Sequence, residues 1–314
     1  GNHAEVEAMN DAQAKGHDVR GATVYVTLEP CSHFGRTPPC VDALMRAGVA
    51  KVVAAMSDPN PQVAGQGFMR LQAAGIAVES GILAEQAHEM NIGFFTRMRT
   101  GKPWVRLKVA ASLDGKTALY NGQSQWITSP EARDDGHRWR ARAGAILTGI
   151  GTVKKDDPQL TVRAIPVVQQ PLRVIVDSKL RITAQARIIN NGDASLIFTA
   201  VNDAEKTAAL QAHGAEVLVL PNAQGKVDLP QVIAELGRRQ MNEIHVEAGA
   251  KLNASLMREG CVDELLVYLA PTILGDARGM FGLPALENLQ DKFSLKFHEI
   301  KQIGEDVRIL ARFL

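Results

Sequence analysis

Short β-branched runs alternate with helical runs along most of this 314-residue chain, and glycine, proline or a capping residue marks each switch. ATVYVTL at 22–28 reads as a strand, CVDALMRA at 40–47 as a helix stopped by Gly48, and AKVVAAM at 50–56 as a buried strand. A helix from 4 to about 15 precedes them; a helix at 68–74, closed by Gly75, and a short strand at 76–80 follow. Parallel strands need a crossover between them, so the alternation predicts α/β architecture. TRMRTGKPW at 96–104 interrupts it with polar residues, Gly101 and Pro103, which places a boundary between a domain at 1–101 and one at 102–314.

Beyond the boundary the pattern predicts a strand at 105–111 and a helix opened by Ser129 as N-cap with Pro130 at its first position. Strands follow at 145–148, 172–176, 195–199, 216–220, 243–247 and 264–270, with helices at 229–239 and 252–258 between some of them. Residues 295–313 read as two strands around the turn Gly304-Glu305-Asp306, so the chain is expected to end in an antiparallel hairpin.

Composition removes several function classes. With 35 basic and 34 acidic residues the net charge is +1, too small a field to gather nucleic acid or an anionic membrane. No apolar run approaches the roughly 20 residues that cross a bilayer, and GNHAEVEAM has no signal-peptide pattern, so a cytoplasmic protein is expected. Three cysteines are too few for a disulfide framework and leave one unpaired, which turns attention to metal binding or burial.

LEPCSHFGRTPPC at 28–40 carries two of those thiols directly after a strand. A redox pair would need Cys-x-x-Cys, whereas Cys40 stands nine positions after Cys31. A catalytic zinc takes three protein donors and keeps a fourth position for water; His3, Cys31 and Cys40 would supply such a set. Glu5, two residues past His3 at a helix start, is placed to move protons without ligating the metal. Each alone has an ordinary reading: a solvated terminal histidine, a small buried thiol, a carboxylate at a helix start. Together, His-x-Glu followed by a strand and Pro30-Cys31 matches the zinc nucleobase deaminases, whose signature normally ends Pro-Cys-x-x-Cys.

With its wider spacing, EPCSHFGRTPPC resembles the deaminase part of the bifunctional deaminase/reductase family of riboflavin biosynthesis. The resemblance continues through LKVAASLDGK (107–116), GQSQWIT (122–128), GTVKKDDPQLTVR (151–163), VIVDS (174–178) and VEAGAKLNASL (246–256), and so covers essentially the whole chain. It implies an α/β protein with an N-terminal cytidine-deaminase-like α/β/α domain and a C-terminal dihydrofolate-reductase-like α/β domain. The family carries a helix and two strands ahead of the His-Ala-Glu triplet, so the first domain is expected to be incomplete at its start. The implied chemistry is zinc-dependent deamination of a phosphoribosylated diaminopyrimidine, then NADPH reduction of its ribose, with Zn2+ and NADPH as cofactors. A phosphorylated pyrimidine is the implied partner and a homo-oligomer the expected state, with no role for nucleic acid or membrane.

Carried over by motif, Ala110, Trp126, Thr152, Asp156, Ser178, Gly249, Ala250, Lys251, Leu252, Asn253, Ala254 and Ser255 would contact the dinucleotide. Lys108, Ser124, Arg140, Leu160, Arg163 and Glu247 would contact the substrate, and His33 and Arg36 are candidates for its phosphate in the first domain. Gly249 at a strand-to-helix turn permits close backbone approach, but G-x-G-x-x-G is absent, so the nicotinamide expectation comes from the resemblance. Arg140 and Arg163 suit a phosphate clamp or, equally, surface ion pairs. Lys108 in an apolar strand needs a partner unless it faces water at an edge. Ser178, Lys179 and Arg181 would hold a 2′-phosphate, which favours NADP, and Trp126 is expected to stack on a ring rather than fill the core. No residue of the second domain is marked as the acid or base of the reduction, and Cys261 reads as a buried thiol. Two other readings stand beside this one. The first is a nucleobase or tRNA deaminase with a binding domain; the second is a non-catalytic protein with a structural zinc closed by a fourth ligand such as His33.

Overall fold

A computed structural model describes residues 1–35, 37–60, 63–190 and 192–314, so Arg36 lies outside the described residues. The chain divides into two compact units, Gly1–Thr100 and Gly101–Leu314. The first contains α1 (Ala4–Ala14), β1 (Thr23–Val26), α2 (Cys40–Ala47), β2 (Lys51–Ala54), α3 (Gln66–Ala73), β3 (Ala77–Ser80), α4 (Ala84–Met90) and α5 (Ile92–Thr100). Its strands form one parallel sheet in the order β1-β2-β3, with Val24 opposite Val52 and Val52 opposite Val78. Val41 and Leu44, three apart on α2, bury one helical stripe with Leu71 of α3 against Val52, beside Val49 and Ile76. The left-handed backbone of Gly48 (φ +68°) ends α2 and turns the chain into β2.

The break expected over 96–104 falls in the second half of that stretch. Residues 92–100 are helical, and the chain turns only at Gly101, at φ +74°. Ile92 and Phe95 bury one face of α5, while Arg97 and Arg99 occupy its last turn, where the carbonyl dipole favours cations. What reads as linker polarity in TRMRT is a helix C-terminus.

The second unit contains β4 (Trp104–Ser112), β5 (Lys116–Ala118), α6 (Pro130–Arg142), β6 (Ala145–Gly149), α7 (Ile150–Asp156), β7 (Leu172–Val176), β8 (Ser195–Thr199) and α8 (Ala204–Gln211). It continues with β9 (Ala215–Val219), α9 (Leu229–Arg238), β10 (Glu243–Val246), α10 (Ala250–Arg258), β11 (Glu264–Ala270), β12 (Arg278–Gly279), β13 (Leu295–Ile303) and β14 (Asp306–Phe313). Nine strands form one sheet in the order β13-β14-β11-β4-β10-β6-β7-β8-β9, parallel from β11 to β9 and closed by the antiparallel hairpin β13-β14. Ser129 caps α6 by accepting the Ala132 N–H at 3.3 Å and donates its own hydroxyl to Asp306 at 2.9 Å. The short ribbon β5-β12 and helices α7 and α8 add to the expected elements.

One sheet face carries Leu107, Val109, Leu147, Val174, Leu196 and Val246 and is covered by apolar residues of α9 and α10. On the other, Ile146, Ile175 and Ile197 pack with Ile150 and Val153 of α7. That face becomes charged along β4, β10 and β11: Arg106 donates to Glu264 at 2.5 Å and Glu243 at 2.8 Å, with its guanidinium 4.3 Å from the Trp139 ring centre on α6. Asp135, also on α6, accepts from Tyr268 Oη at 2.6 Å and from Arg308. These buried partners explain how so polar a helix docks on a sheet.

Gly237 of α9 lies where a Cβ would stand 2.1 Å from the Gly101 carbonyl oxygen. Helix propensity favours alanine there by ~1 kcal/mol, but overpacking costs about 1–3 kcal/mol, so the close approach decides. Gly237→Ala is expected to lower the urea midpoint of the second unit. A midpoint at or above the parent's would mean that α9 can shift away from Gly101.

Candidate functional site

In the first unit, α1 begins one residue after His3 and α2 begins at Cys40, while Cys31 lies in the loop that leaves β1. His3 Nδ1 stands 3.5 Å from Cys31 Sγ and 3.3 Å from Cys40 Sγ, and the three donor atoms lie within 4.8 Å of one another. Zinc bonds of about 2.0 Å to nitrogen and 2.3 Å to sulfur, at tetrahedral angles, separate such atoms by about 3.5 Å, so the donors fit that metal. Among the described residues the cluster has three donors and does not include His33, which leaves the fourth position open and gives no support to a closed structural zinc.

The thiols are electrostatically unequal. Cys31 is held down to about 5, first by the hydrogen bond from the Cys40 thiol and then, against burial, by the Cys40 N–H at 3.3 Å and His3. Cys40 is pushed up by the same shared proton, by burial and by the Glu5 carboxylate. Two sulfurs and an imidazole converging beside a helix start form a site at which a bound cation would displace thiol protons. Glu5, in the first turn of α1, reaches the Cys40 thiol and therefore borders the donor cluster.

In the second unit the carboxyl ends of β4, β10 and β6 gather the other polar residues. Glu247, just past β10, takes two hydrogen bonds from Arg140 of α6, one of them Nη2 to Oε2 at 2.8 Å. Burial raises the Glu247 carboxyl, but the charge and hydrogen bonds of Arg140, with His245 and Lys108, outweigh it and hold the group well below the usual carboxylate range. Burial lowers Lys108, opposed by Glu247; its ammonium lies 5.9 Å from the Tyr268 ring centre, which supplies the partner expected for a strand lysine. Arg163 is exposed, its Nη1 2.9 Å from Thr161 Oγ1, and its main-chain N–H donates to His137 Nδ1 at 3.3 Å. Leu160 is 4% exposed with φ +49°, so its contact with a ligand would come through the main chain. Ser124 is half-buried in the loop that precedes α6.

Gly249 begins α10 without a side-chain cap, and a Cβ on it would stand 4.0 Å from Thr152 Oγ1. The first amides of α10 thus open beside the Thr152 hydroxyl, as a bound phosphate requires. Ala250 and Leu252 are half-buried and Lys251 exposed, whereas Asn253 and Ala254 are buried and Ser255 is half-buried. Of that run, the first turn is what a ligand would meet. Asp156 is exposed at the end of α7, and Ala110 is half-buried on β4 opposite Tyr268. Ser178 follows β7 and accepts the Val227 N–H at 3.0 Å, with exposed Lys179 and Arg181 beside it. Trp126 is 69% exposed with the Arg133 guanidinium 4.5 Å from its ring centre, so it is not a core residue. A helix start after β10 flanked by a hydroxyl, with two cations past β7 two strands along the sheet, fits a phosphorylated dinucleotide.

The sequence reading passed over two residues here. His245 is fully buried, with Nε2 3.3 Å from Glu247 Oε1. Asp114 accepts from Ser112 at 2.5 Å and from the N–H groups of Leu274 and Gly275, tying the loop after β4 to the one after β11. Its Asp-Gly dipeptide was a turn signal; His245 carried none.

The chain matches two family models: the cytidine and deoxycytidylate deaminase zinc-binding region over residues 1–56 and the RibD C-terminal domain over 103–309. It is 48% identical to the riboflavin biosynthesis protein RibD of Escherichia coli K12, over 97% of this chain and 85% of that one. Among solved structures, Acinetobacter baumannii RibD matches with a TM-score of 0.89 at 40% identity, covering 100% of this chain and 86% of that one. A diaminohydroxyphosphoribosylaminopyrimidine deaminase/5-amino-6-(5-phosphoribosylamino)uracil reductase from Thermotoga maritima matches with the same TM-score, 0.89, at 31% identity and with the same coverage, 100% and 86%.

Proposed function

This chain belongs to the RibD family of riboflavin biosynthesis, and on that premise we propose how its residues divide two reactions between two sites. The enzyme is bifunctional: it deaminates 2,5-diamino-6-(5-phosphoribosylamino)pyrimidin-4(3H)-one hydrolytically and then reduces the ribosyl side chain of 5-amino-6-(5-phosphoribosylamino)uracil to ribityl. It has a cytidine-deaminase-like zinc domain and a dihydrofolate-reductase-like domain, and its cofactors are zinc and NADPH. We assign the first reaction to residues 1–101 and the second to 102–314.

The observation that carries the first assignment is the three-donor cluster with Glu5 at its edge. His3, Cys31 and Cys40 would hold the zinc, which would supply the Lewis acidity that makes water nucleophilic at neutral pH. Glu5 takes the proton of the attacking water and returns it to the departing amine. His3 and the start of α2 hold the thiols in place for this, and His33 in the same loop is the candidate for the substrate's phosphate.

In the second site bound NADPH would supply a hydride for the sugar's C1′, with the accompanying proton from solvent, and the chain's task is alignment. Arg140, Lys108 and Glu247 form a rigid polar group against which the ribosyl end lies, with Ser124 and the Leu160 main chain beside it. Exposed Arg163, whose Nη1 donates to the Thr161 hydroxyl, offers its remaining guanidinium donors to the substrate phosphate. The α10 start, Thr152, Asp156, Ala110, Trp126 and Ser178 hold the dinucleotide, with Lys179 and Arg181 favouring the 2′-phosphate.

The reading is tested by incubating the chain with the deaminated substrate and NADPH and following the nicotinamide absorbance. Oxidation that depends on that substrate supports the second assignment, and its absence removes it. Arg163→Ala is expected to raise KM for the phosphorylated substrate about tenfold at little changed kcat, since it deletes a uniform binding contact of roughly 1–2 kcal/mol. Unchanged kinetics would take Arg163 out of the clamp.

Among the described residues no helix is long and apolar enough to cross a membrane. We assign the enzyme to the cytoplasm on its use of NADPH and on cysteines that serve as metal donors or lie buried rather than pair as disulfides. Phe297 and Ile300, 64% and 59% exposed on the edge strand β13, support a homo-oligomer, and the balanced charge supports no nucleic-acid partner.

A further inference from the structure

We propose that Glu29 is a positioning residue of the zinc site: its buried carboxylate fastens the loop that carries Cys31 to the start of α3 and so sets where the Cys31 thiol stands. The inference rests on the zinc reading above.

Glu29 is 3% exposed, two residues before Cys31. Its Oε2 accepts the N–H groups of Asp58 at 3.2 Å and Gly65 at 2.9 Å, and its Oε1 those of Gly67 at 2.8 Å and Phe68 at 3.4 Å. A carboxylate removed from water is stable only when its lone pairs are met, and here four main-chain donors meet them. The N-cap of α3 is Gly65, which has no side chain to offer, so Glu29 caps the helix from a distant part of the sequence.

The contact is also steric. A Cβ on Gly67 would stand 2.2 Å from the Pro30 carbonyl oxygen, so the first turn of α3 lies directly on the residue before Cys31. Arg70, one turn further along, donates Nη1 to the Ser32 carbonyl at 2.9 Å and Nη2 to Asp42 at 2.6 Å. Thus α3 holds the chain on both sides of Cys31 and ties its far side to α2, whose first residue is Cys40. Val41 N–H to the Cys31 carbonyl, at 3.2 Å, completes the frame. The sulfur–sulfur spacing that a zinc ion needs is therefore set by groups that do not touch the metal.

The test compares the whole chain with Glu29→Gln, Arg70→Met and Leu71→Ala. Leu71 belongs to the same helix but packs in the core, so its variant loosens the unit without releasing the loop. Zinc affinity is measured by chelator competition, thiolate ligation by the sulfur-to-Co(II) charge-transfer band, and unit stability by urea titration. Glu29→Gln is expected to weaken zinc about 10- to 100-fold and to reduce the Co(II) band. Arg70→Met should move both in the same direction by less. Leu71→Ala should lower the urea midpoint and keep affinity and band.

A Glu29→Gln protein with parental affinity and spectrum overturns the proposal, and so does an equal zinc loss in Leu71→Ala, which would make the effect general loosening. If Glu29→Gln does not fold, Arg70→Met decides, and parental zinc binding there overturns the proposal. A parent chain that takes up no zinc overturns the zinc reading itself, a result distinct from a parent that binds zinc while Glu29→Gln binds it equally well.

Discussion

Glu5→Gln is expected to slow ammonia release by about 10²- to 10⁴-fold, the range that a positioned general acid–base contributes, while zinc stays bound and NADPH oxidation with supplied deaminated substrate continues. The amide matches the carboxylate in shape but cannot take a proton from water or hand one to an amine. His3, Cys31 and Cys40 are untouched, and Glu5 contributes to pushing the Cys40 thiol up, so its neutralisation if anything eases thiolate formation. Metal content by atomic emission, ammonia release and nicotinamide absorbance, measured on one preparation, separate the outcomes. Loss of zinc would make Glu5 a ligand, and equal loss of both activities would contradict separate sites.

The convergence of His3, Cys31 and Cys40 was legible because metal chemistry restricts residue type and because the three lie at helix or strand boundaries that the local pattern already marked. Glu29 was not legible. In LEPC it looks like any glutamate near a turn, and its four donors come from residues 58 to 68, brought to it only by packing. Strand positions followed from β-branched runs, yet nothing local orders nine strands as β13-β14-β11-β4-β10-β6-β7-β8-β9. The charged face beneath α6 was hidden for the same reason. Arg106, Glu243 and Glu264 are far apart along the chain, and each reads alone as an edge residue until the parallel register places them side by side. Polarity also misled at 96–100, where arginines that complement a helix dipole resemble a linker.

The Arg140–Glu247 pair, 107 residues apart, was named as two substrate contacts without being recognised as a unit, and its removal carries the second large effect. Both side chains are about 15% exposed, and Lys108 faces the same carboxylate from within the sheet. Deleting one member of such a pair leaves uncompensated charge, here two cations with no anion between them, at about 3–5 kcal/mol. Glu247→Ala is therefore expected to lower the stability of the second unit by about that amount and reductase kcat/KM by about 10²-fold or more, with deamination unchanged. Because the folded Glu247 carboxyl is held well below its ordinary value, its stabilising contribution is fully present above the unfolded carboxylate range and disappears as pH falls through the depressed value. The difference between parent and Glu247→Ala should accordingly be full at neutral pH and shrink in acid. Adding Arg140→Met to Glu247→Ala removes the stranded guanidinium and should restore part of the stability but none of the reductase activity. Recovery of both together would mean that the pair only supports the fold; recovery of neither would mean that Lys108 is the charge left exposed to the cost.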